Sequence, residues 1–267
     1  MNTMNIQLLT EIQNAIKNTI TDKKIGVAFS GGVDSTLLAK IIKDLGHDVH
    51  LLTIGFHNSH DINFAKEVNQ ILNLPHSISE IDPEKFKGVS DRIHQLIKSD
   101  NLSWNENSIA FYYVAKLAQK NELNTVVTAN GIDELFCGYN SYREIIAVCK
   151  ELEQKLNMYY MWETEIMKMI NDKLKNEKQM MIMVNTVTEE FGVRIIQPFL
   201  SSDFIDYAKE IPISEKIHGS NDMKRKHVIR ELAMDYGVPK IAAQKQKKAL
   251  QYGSQIHKSL LKSRKTS

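Results

Sequence analysis

The sequence predicts an α/β fold, a parallel doubly wound sheet followed by a helical C-terminal part, and three observations carry that expectation. Short apolar runs such as KIGVAF (from Lys24) and VHLLTIGF (from Val49) alternate with stretches whose apolar residues recur at helical spacing. Strands that alternate with helices need right-handed crossovers, which make the sheet parallel and put helices on both of its faces. From Ser141 to about Glu190 the alternation gives way to a purely helical pattern rich in Met.

The elements follow in order. Ile6, Leu9, Ile12, Ala15, Ile16 and Ile20 sit at helical spacing, so the chain opens with an amphipathic helix. KIGVAF reads as a buried strand, and TLLAKIIKDLG as a helix stopped at Gly46. VHLLTIGF is a second strand, Asp61 to Leu72 a helix, and Pro75 to Ile81 a third strand. Two helices, about Pro83 to Lys98 and Asn107 to Asn121, lead to the strand NTVVTA. Met158, Met161, Met167, Met169, Met180, Met181 and Met183 then read as core filling of a helical layer. Shorter helices are expected near Ser202 to Glu210 and Lys224 to Tyr236. The expected division is residues 1–140 as the α/β nucleotide-binding half and residues 141–267 as a mostly helical half that completes the site.

Composition narrows the function classes. The 42% hydrophobic and 25% charged content is that of an ordinary globular chain. A net charge of +2 is too small to argue for a nucleic-acid or membrane partner, although Pro239 to Ser267 holds eight Lys or Arg and no Asp or Glu. The two cysteines, Cys137 and Cys149, form no CxxC pair, which argues against a zinc site or a disulfide framework and fits a reducing cytoplasm. No apolar run approaches the ~20 residues of a membrane span, and the N-terminus has no signal-peptide pattern.

The loop FSGGVDST joins the first strand to a helix, where successive backbone N–H groups and the helix dipole favour an anion. The GxxxxGK[ST] spacing of a Walker A loop is absent. Asp34 would repel a phosphate at close range, unless a Mg²⁺ ion shared by carboxylate and phosphates removes the conflict. A second carboxylate is then expected from another strand end, because ligands of parallel sheets bind at the carboxyl ends of the strands. NTVVTA runs into NGIDELFCGY, which offers Asp133 and Glu134 between Gly131 and Gly138.

SGGVDST is similar to the pyrophosphate loop of the N-type ATP pyrophosphatases, a superfamily with a HUP-like sheet. NGIDELFCGY resembles the GADELFGGY segment of asparagine synthetases and the related β-lactam synthetases. IIQPFLSSDFIDYAKEIP resembles their RVPFLD…IP segment, and KHVIREL followed by KQKKALQYGS resembles their K..LR and lysine-glycine segments. The four segments occur in the family's order and span Ile25 to Ser254.

The resemblance implies an ATP-dependent activation of a carboxylate, L-aspartate as the first guess. Attack on the α-phosphorus would give an acyl-adenylate and pyrophosphate, and an amine would then displace AMP. By motif position Ser30, Gly31, Gly32, Asp34 and Ser35 would hold the pyrophosphate, with Gly131 and Lys226 beside it. Asp34 and Asp133 would share Mg²⁺, and Thr53, Ile54 and Gly55 would meet adenine through their backbone. Lys247, with Lys248 next to it as the alternative, would stabilise the charge that builds on phosphate and on the tetrahedral oxyanion. Asn130 and Glu134 would face the second substrate.

Two departures from the family stand out. Asn130 occupies a position, three before Asp133, where the family commonly has an acid that helps handle the incoming amine; Asn takes no proton at neutral pH. Glutamine-using asparagine synthetases begin with a glutaminase domain whose Cys follows the initiator Met, whereas Asn2 stands there in this chain. The expectation is therefore ATP, Mg²⁺, an amino acid or other carboxylate, and ammonia, with a separate glutaminase subunit as one nitrogen source. No membrane or nucleic-acid partner is expected, and a homodimer is left open. The rival readings are an RNA-modifying relative, motivated by the basic tail, and a non-catalytic ATP-binding module. His57 and His60 read as surface and cap residues, Cys137 as structural, and Arg230 as a weaker phosphate candidate than Lys226.

Overall fold

The apolar run beginning at Lys24 forms β1 of the structure, a computed structural model that describes residues 1–156, 162–245 and 250–265. In chain order the elements are α1 (Thr3–Thr19), β1 (Lys24–Ala28), α2 (Val33–Asp44), β2 (Asp48–Gly55), α3 (His60–Leu72), β3 (His76–Glu80), α4 (Pro83–Ile97), α5 (Leu102–Lys120) and β4 (Thr125–Val127). The chain continues as α6 (Ile132–Leu135), α7 (Asn140–Leu156), α8 (Trp162–Thr188), β5 (Arg194–Ile196), α9 (Ser202–Glu210), α10 (Ile213–Lys216), α11 (His227–Asp235), α12 (Lys240–Ala243), α13 (Leu250–Gly253) and α14 (Ile256–Lys265).

All strand pairings are parallel, in the order β3-β2-β1-β4-β5. The first three strands wind outward one way and the next two the other, so the winding reverses between β1 and β4. Loops leaving those two strands diverge and open a crevice at their carboxyl ends. Alternation along the strands feeds two cores. Ile25, Val27, Leu51 and Val127 face a layer with α1, α2 and α11, while Leu52, Ile54 and Val126 face a layer with α4, α5, α14 and the C-terminal half of α8.

Two details differ from the sequence reading. The buried stripe of α1 runs through Leu8, Ile12, Ala15 and Ile16, leaving Ile6 54% exposed on the outer face. The segment RII, just before Gln197 and Pro198, adds β5 to the sheet edge, so the later part of the chain contributes a strand as well as helices. Among the described residues no helix is long and apolar enough to cross a membrane.

The β1 end that carries the glycine loop is pinned from the side. Thr53 on β2 donates its hydroxyl to the carbonyl of Phe29 at 2.6 Å, and the same oxygen meets His76 Nε2 at 2.8 Å. Since the only hydroxyl proton goes to Phe29, the imidazole must donate at Nε2. Burial holds His76 neutral down to about pH 4, against an ordinary value of 6.5.

The folded pKa is depressed, so the unfolded chain binds more protons between pH 6.5 and 4, and stability is lost as pH falls through that window. His76→Gln, which retains an amide donor for Thr53, is expected to flatten this acid limb in urea titrations at pH 7 and pH 5. An unchanged pH slope would show that His76 is not responsible.

Candidate functional site

Three segments converge at the reversal point of the sheet. The loop Phe29–Gly32 leaves β1 and enters α2, whose first turn carries Asp34 and Ser35. Gly31 takes φ 75°, and a Cβ there would crowd Phe64 and the backbone of Ala65 at 3.1–3.2 Å. The contacts of the loop's own hydroxyls are long: Ser30 Oγ to Ser35 Oγ 3.5 Å, Gly32 N–H to Ser30 Oγ 3.4 Å and Ser35 Oγ to the Gly32 carbonyl 3.3 Å. Such weak internal pairing leaves the loop's donors to a ligand. Leaving β4, the chain turns through Gly131 into the single helical turn α6, which presents Asp133. Gly138 packs against the Asp133 carboxylate so closely that any Cβ would collide with it.

Lys226 comes from the third segment. Its ammonium lies 2.6 Å from Asp34 Oδ2 and 3.1 Å from Asp133 Oδ1, with the lysine side chain 1% exposed and both carboxylates 17%. Burial works against the ammonium's charge, but the carboxylates of Asp133 and Asp34 outweigh it and raise the pKa. The lysine is delivered by strained backbone, since Arg225 and Lys226 both take φ 53°, a region that costs a non-glycine residue about 1 kcal/mol or more.

Two side chains hold that strain. Asp222 accepts the N–H groups of His218 (3.0 Å), Lys224 (2.9 Å) and Arg225 (3.1 Å), and meets His227 Nε2 at 2.7 Å. Arg230 donates to the carbonyls of Lys224 and Arg225 and, from Nη1, to those of Ala243 (2.7 Å) and Lys245 (2.9 Å). Its Nη2 is buried without a partner, and the residue lines the cleft.

His218, Asp222 and His227 bring potential metal-ligand atoms within 4.8 Å of one another. Their two imidazoles, however, stack in parallel, 3.6 Å apart and 5° between planes. A metal bonds imidazole in the ring plane, and no point lies in both planes, so the group serves as a brace for the turn.

The cleft encloses about 1200 Å³ with its mouth included. Ser30, Gly32, Asp34, Ser35, Asp133, Lys226, Arg230 and Lys245 form a charged part, and Leu52, Ile54, Phe111 and Val114 an apolar part. Asn130, Glu134 and Tyr139 line it as well. Asp34 Oδ1 is buried and has no hydrogen-bond partner. An orphaned carboxylate oxygen beside a second carboxylate suits a hard cation with oxygen ligands, so the donor set fits Mg²⁺.

The other expected residues fall as follows. Ile54 lines the cleft; Thr53 braces Phe29; Gly55 packs against Ser59, whose hydroxyl a Cβ would meet. The N–H of Gly131 is committed to Glu134 Oε2 at 3.1 Å, and Glu134 also accepts the Tyr139 hydroxyl, which makes its carboxylate an internal brace of the turn. Asn130 accepts the Thr128 hydroxyl and donates to Glu177 Oε1 at 2.5 Å. Lys247 and Lys248 lie outside the described residues.

His57 and His60 go separate ways, His57 to Glu80 at 2.9 Å and His60 to Asp61 at 3.2 Å. Burial pushes the Cys137 thiol up to about 12, so it is no ready nucleophile. Sequence reasoning missed Glu177, Tyr139 and the clamp made by Arg230, and it reads Lys245 as a solvated surface residue, whereas Lys245 lines the cleft.

The asparagine synthase family model matches residues 7–190 and 163–265. The chain belongs to the asparagine synthase family. It is 27% identical, over 94% of its length, to a Methanocaldococcus jannaschii protein assigned as a glutamine-hydrolyzing asparagine synthetase, of which it covers 50%. It is 24% identical to asparagine synthetase B (glutamine-hydrolyzing) of Escherichia coli, over 92% of this chain and 44% of that protein. The chain thus spans about half the length of these curated relatives, or less. Among solved structures it resembles a protein described as a predicted subunit of tRNA methyltransferase from Methanocaldococcus jannaschii DSM. That match has a TM-score of 0.33 and 18% identity over 81% of this chain and 89% of that one, a likeness too loose to bear on function. Membership supports an ATP-dependent ligase family.

Removing the ammonium would leave two half-buried carboxylates facing each other. Lys226→Met is expected to cost about 3 kcal/mol of stability, read from urea midpoints without divalent ions. Adding Asp34→Asn should recover part of the loss. A cost below about 1 kcal/mol would mean that the three groups do not act as a unit.

Proposed function

We propose that this chain is an ATP-dependent amide-forming ligase that adenylates a carboxylate, L-aspartate in the first instance, and releases AMP and pyrophosphate. The observation that carries this reading is the meeting of Asp34, Asp133 and Lys226 at the sheet's reversal point, beneath a glycine loop with unspent donors. Adenine would lie along the apolar part beside Ile54, and the β- and γ-phosphates on the loop Ser30–Ser35, where α2 directs its N-terminus.

Mg²⁺ held by Asp34 and Asp133 would supply charge neutralisation and orientation for the polyphosphate. Lys226 and Arg230 would follow the leaving pyrophosphate with fixed positive charge. The carboxylate oxygen of the substrate attacks the α-phosphorus, the bond to the bridging oxygen breaks, and pyrophosphate leaves. The amine then attacks the acyl carbon and AMP departs.

Lys247, or Lys248, is the proposed cation for the acyl oxyanion. Support comes from both flanks of residues 246–249, since Lys245 lines the cleft and Gly253 packs against the cleft residue Asp61. Ammonia, free or delivered by a separate glutaminase subunit, is the proposed nitrogen source.

The test is pyrophosphate and AMP release from Mg-ATP with L-aspartate and ammonium present together or withheld singly. Both products forming only with both substrates is the expected result; ADP and phosphate, or no turnover with any amino acid, would overturn it. Asp34→Asn and Asp133→Asn should each abolish release while the folded circular-dichroism spectrum persists. Lys247→Ala should slow turnover far more than it weakens ATP binding; that pattern in Lys248→Ala alone would move the role one residue along.

A further inference from the structure

The outer face of α8 repeats lysine at helical spacing. Lys168, Asn171, Lys175, Lys178 and Ile182 follow one another at steps of three and four, and all five are exposed. No acidic residue falls on this face between Lys168 and Ile182; Asp172 stands to one side of it, and the buried Glu177 points the opposite way. Lys178 has Leu174 and Ile182 four residues to either side, so no carboxylate supports it along the helix. Three like charges on one face repel each other, and such a face is best explained by what it meets.

The helix α9 lies beside it. Leu174 of α8 and Ile205 of α9 belong to one core, and around them Lys175, Lys178 and Gln179 of α8 and Lys209 of α9 line a groove. The lining is mainly apolar, which fits lysines that lay their aliphatic stems along the walls. Among the described residues none of these three lysines makes a side-chain hydrogen bond or an ion pair. Asp206 stands one turn before Lys209 without pairing with it. Glu210 bears on Tyr207 together with Glu11 of α1, away from the groove.

Two features therefore need one occupant: an apolar floor and three uncompensated ammonium groups. A nucleic-acid strand answers only the second, and no aromatic ring lines the groove to stack a base. An acidic peptide segment with an apolar side chain answers both, the side chain against the floor and its carboxylates on the lysines.

We propose that the groove between α8 and α9 is a docking site for an acidic segment of a partner protein, anchored by an apolar side chain on Leu174 and Ile205 and held by Lys175, Lys178 and Lys209. None of the groove's residues lines the nucleotide cleft, so the inference goes beyond the ligase reading and stands without it.

The test uses the full chain and a fluorescein-labelled peptide of glutamate and leucine, patterned as an amphipathic helix, with anisotropy read at low ionic strength, where surface charge is least screened. Saturable binding is expected, unaffected by Mg-ATP. The variant Lys175→Ala/Lys178→Ala/Lys209→Ala should weaken it at least ten-fold. The control Lys43→Ala/Lys116→Ala/Lys120→Ala removes the same charge from exposed positions elsewhere and should stay within two-fold of wild type. Both variants change exposed or half-buried side chains, and equal melting temperatures would verify that the fold persists. Hydrogen exchange with the peptide bound should slow in residues 174–179 and 205–209.

A peptide with serine in place of leucine should bind at least ten-fold more weakly, and equal binding would reduce the groove to a general basic surface and overturn the proposal. Absence of saturable binding, an equal loss in the control variant, or protection at the cleft instead of α8 and α9 would also overturn it. So would tighter binding of single-stranded oligouridylate than of the peptide, lost in the groove variant, which would make the face a nucleic-acid surface.

Discussion

The structure depends on a single buried ammonium placed between two carboxylates. Asp34 arrives from the end of β1 and Asp133 from the end of β4, and the reversal of the winding brings those ends together. Two partly buried anions so close would repel each other and open the crevice. Lys226 neutralises them, and much of the later chain is organised to keep it there. The Asp222 brace sets the left-handed pair at Arg225 and Lys226, and the Arg230 clamp ties that pair to the segment ending at Lys245. Strain in the turn is thus offset by the hydrogen bonds of Asp222 and Arg230.

The same arrangement divides the cleft chemically. One part combines the glycine loop and α2 N-terminus with Lys226, Arg230 and Lys245, a field that suits a polyphosphate. The corner at Asn130 and Tyr139 is backed by Glu134 and Glu177. The chain belongs to the asparagine synthase family and covers about half of its curated relatives or less.

Much of the fold was legible because strongly periodic segments carry their own signal: β1, β2 and α3 fall within one residue of the runs that predict them, while α2 starts three residues before its run, at Val33. β5 was not legible. Three residues followed closely by Pro198 carry too little pattern, and only pairing with β4 makes them a strand. In α1 the stripe of Leu8 and Ile12 competes with one through Ile6, and packing decides between them. In the site, SGGVDST and NGIDEL announced themselves by residue type. Glu177 did not, because helical periodicity is carried by the apolar residues of α8. A charged residue at a stripe position is the signal that would have found it. The link from Lys226 to both carboxylates spans 192 and 93 positions and has no local trace.

The most direct test of the central claim is a crystal structure of the protein with Mg²⁺ and α,β-methylene ATP. The account predicts the two terminal phosphates on the backbone N–H groups between Ser30 and Ser35, metal density touching Asp34 and Asp133, Lys226 Nζ within hydrogen-bond distance of a phosphate oxygen, and adenine beside Ile54. Nucleotide bound away from the reversal point of the sheet would contradict it. So would Lys226 remaining locked to both carboxylates with the phosphates out of reach.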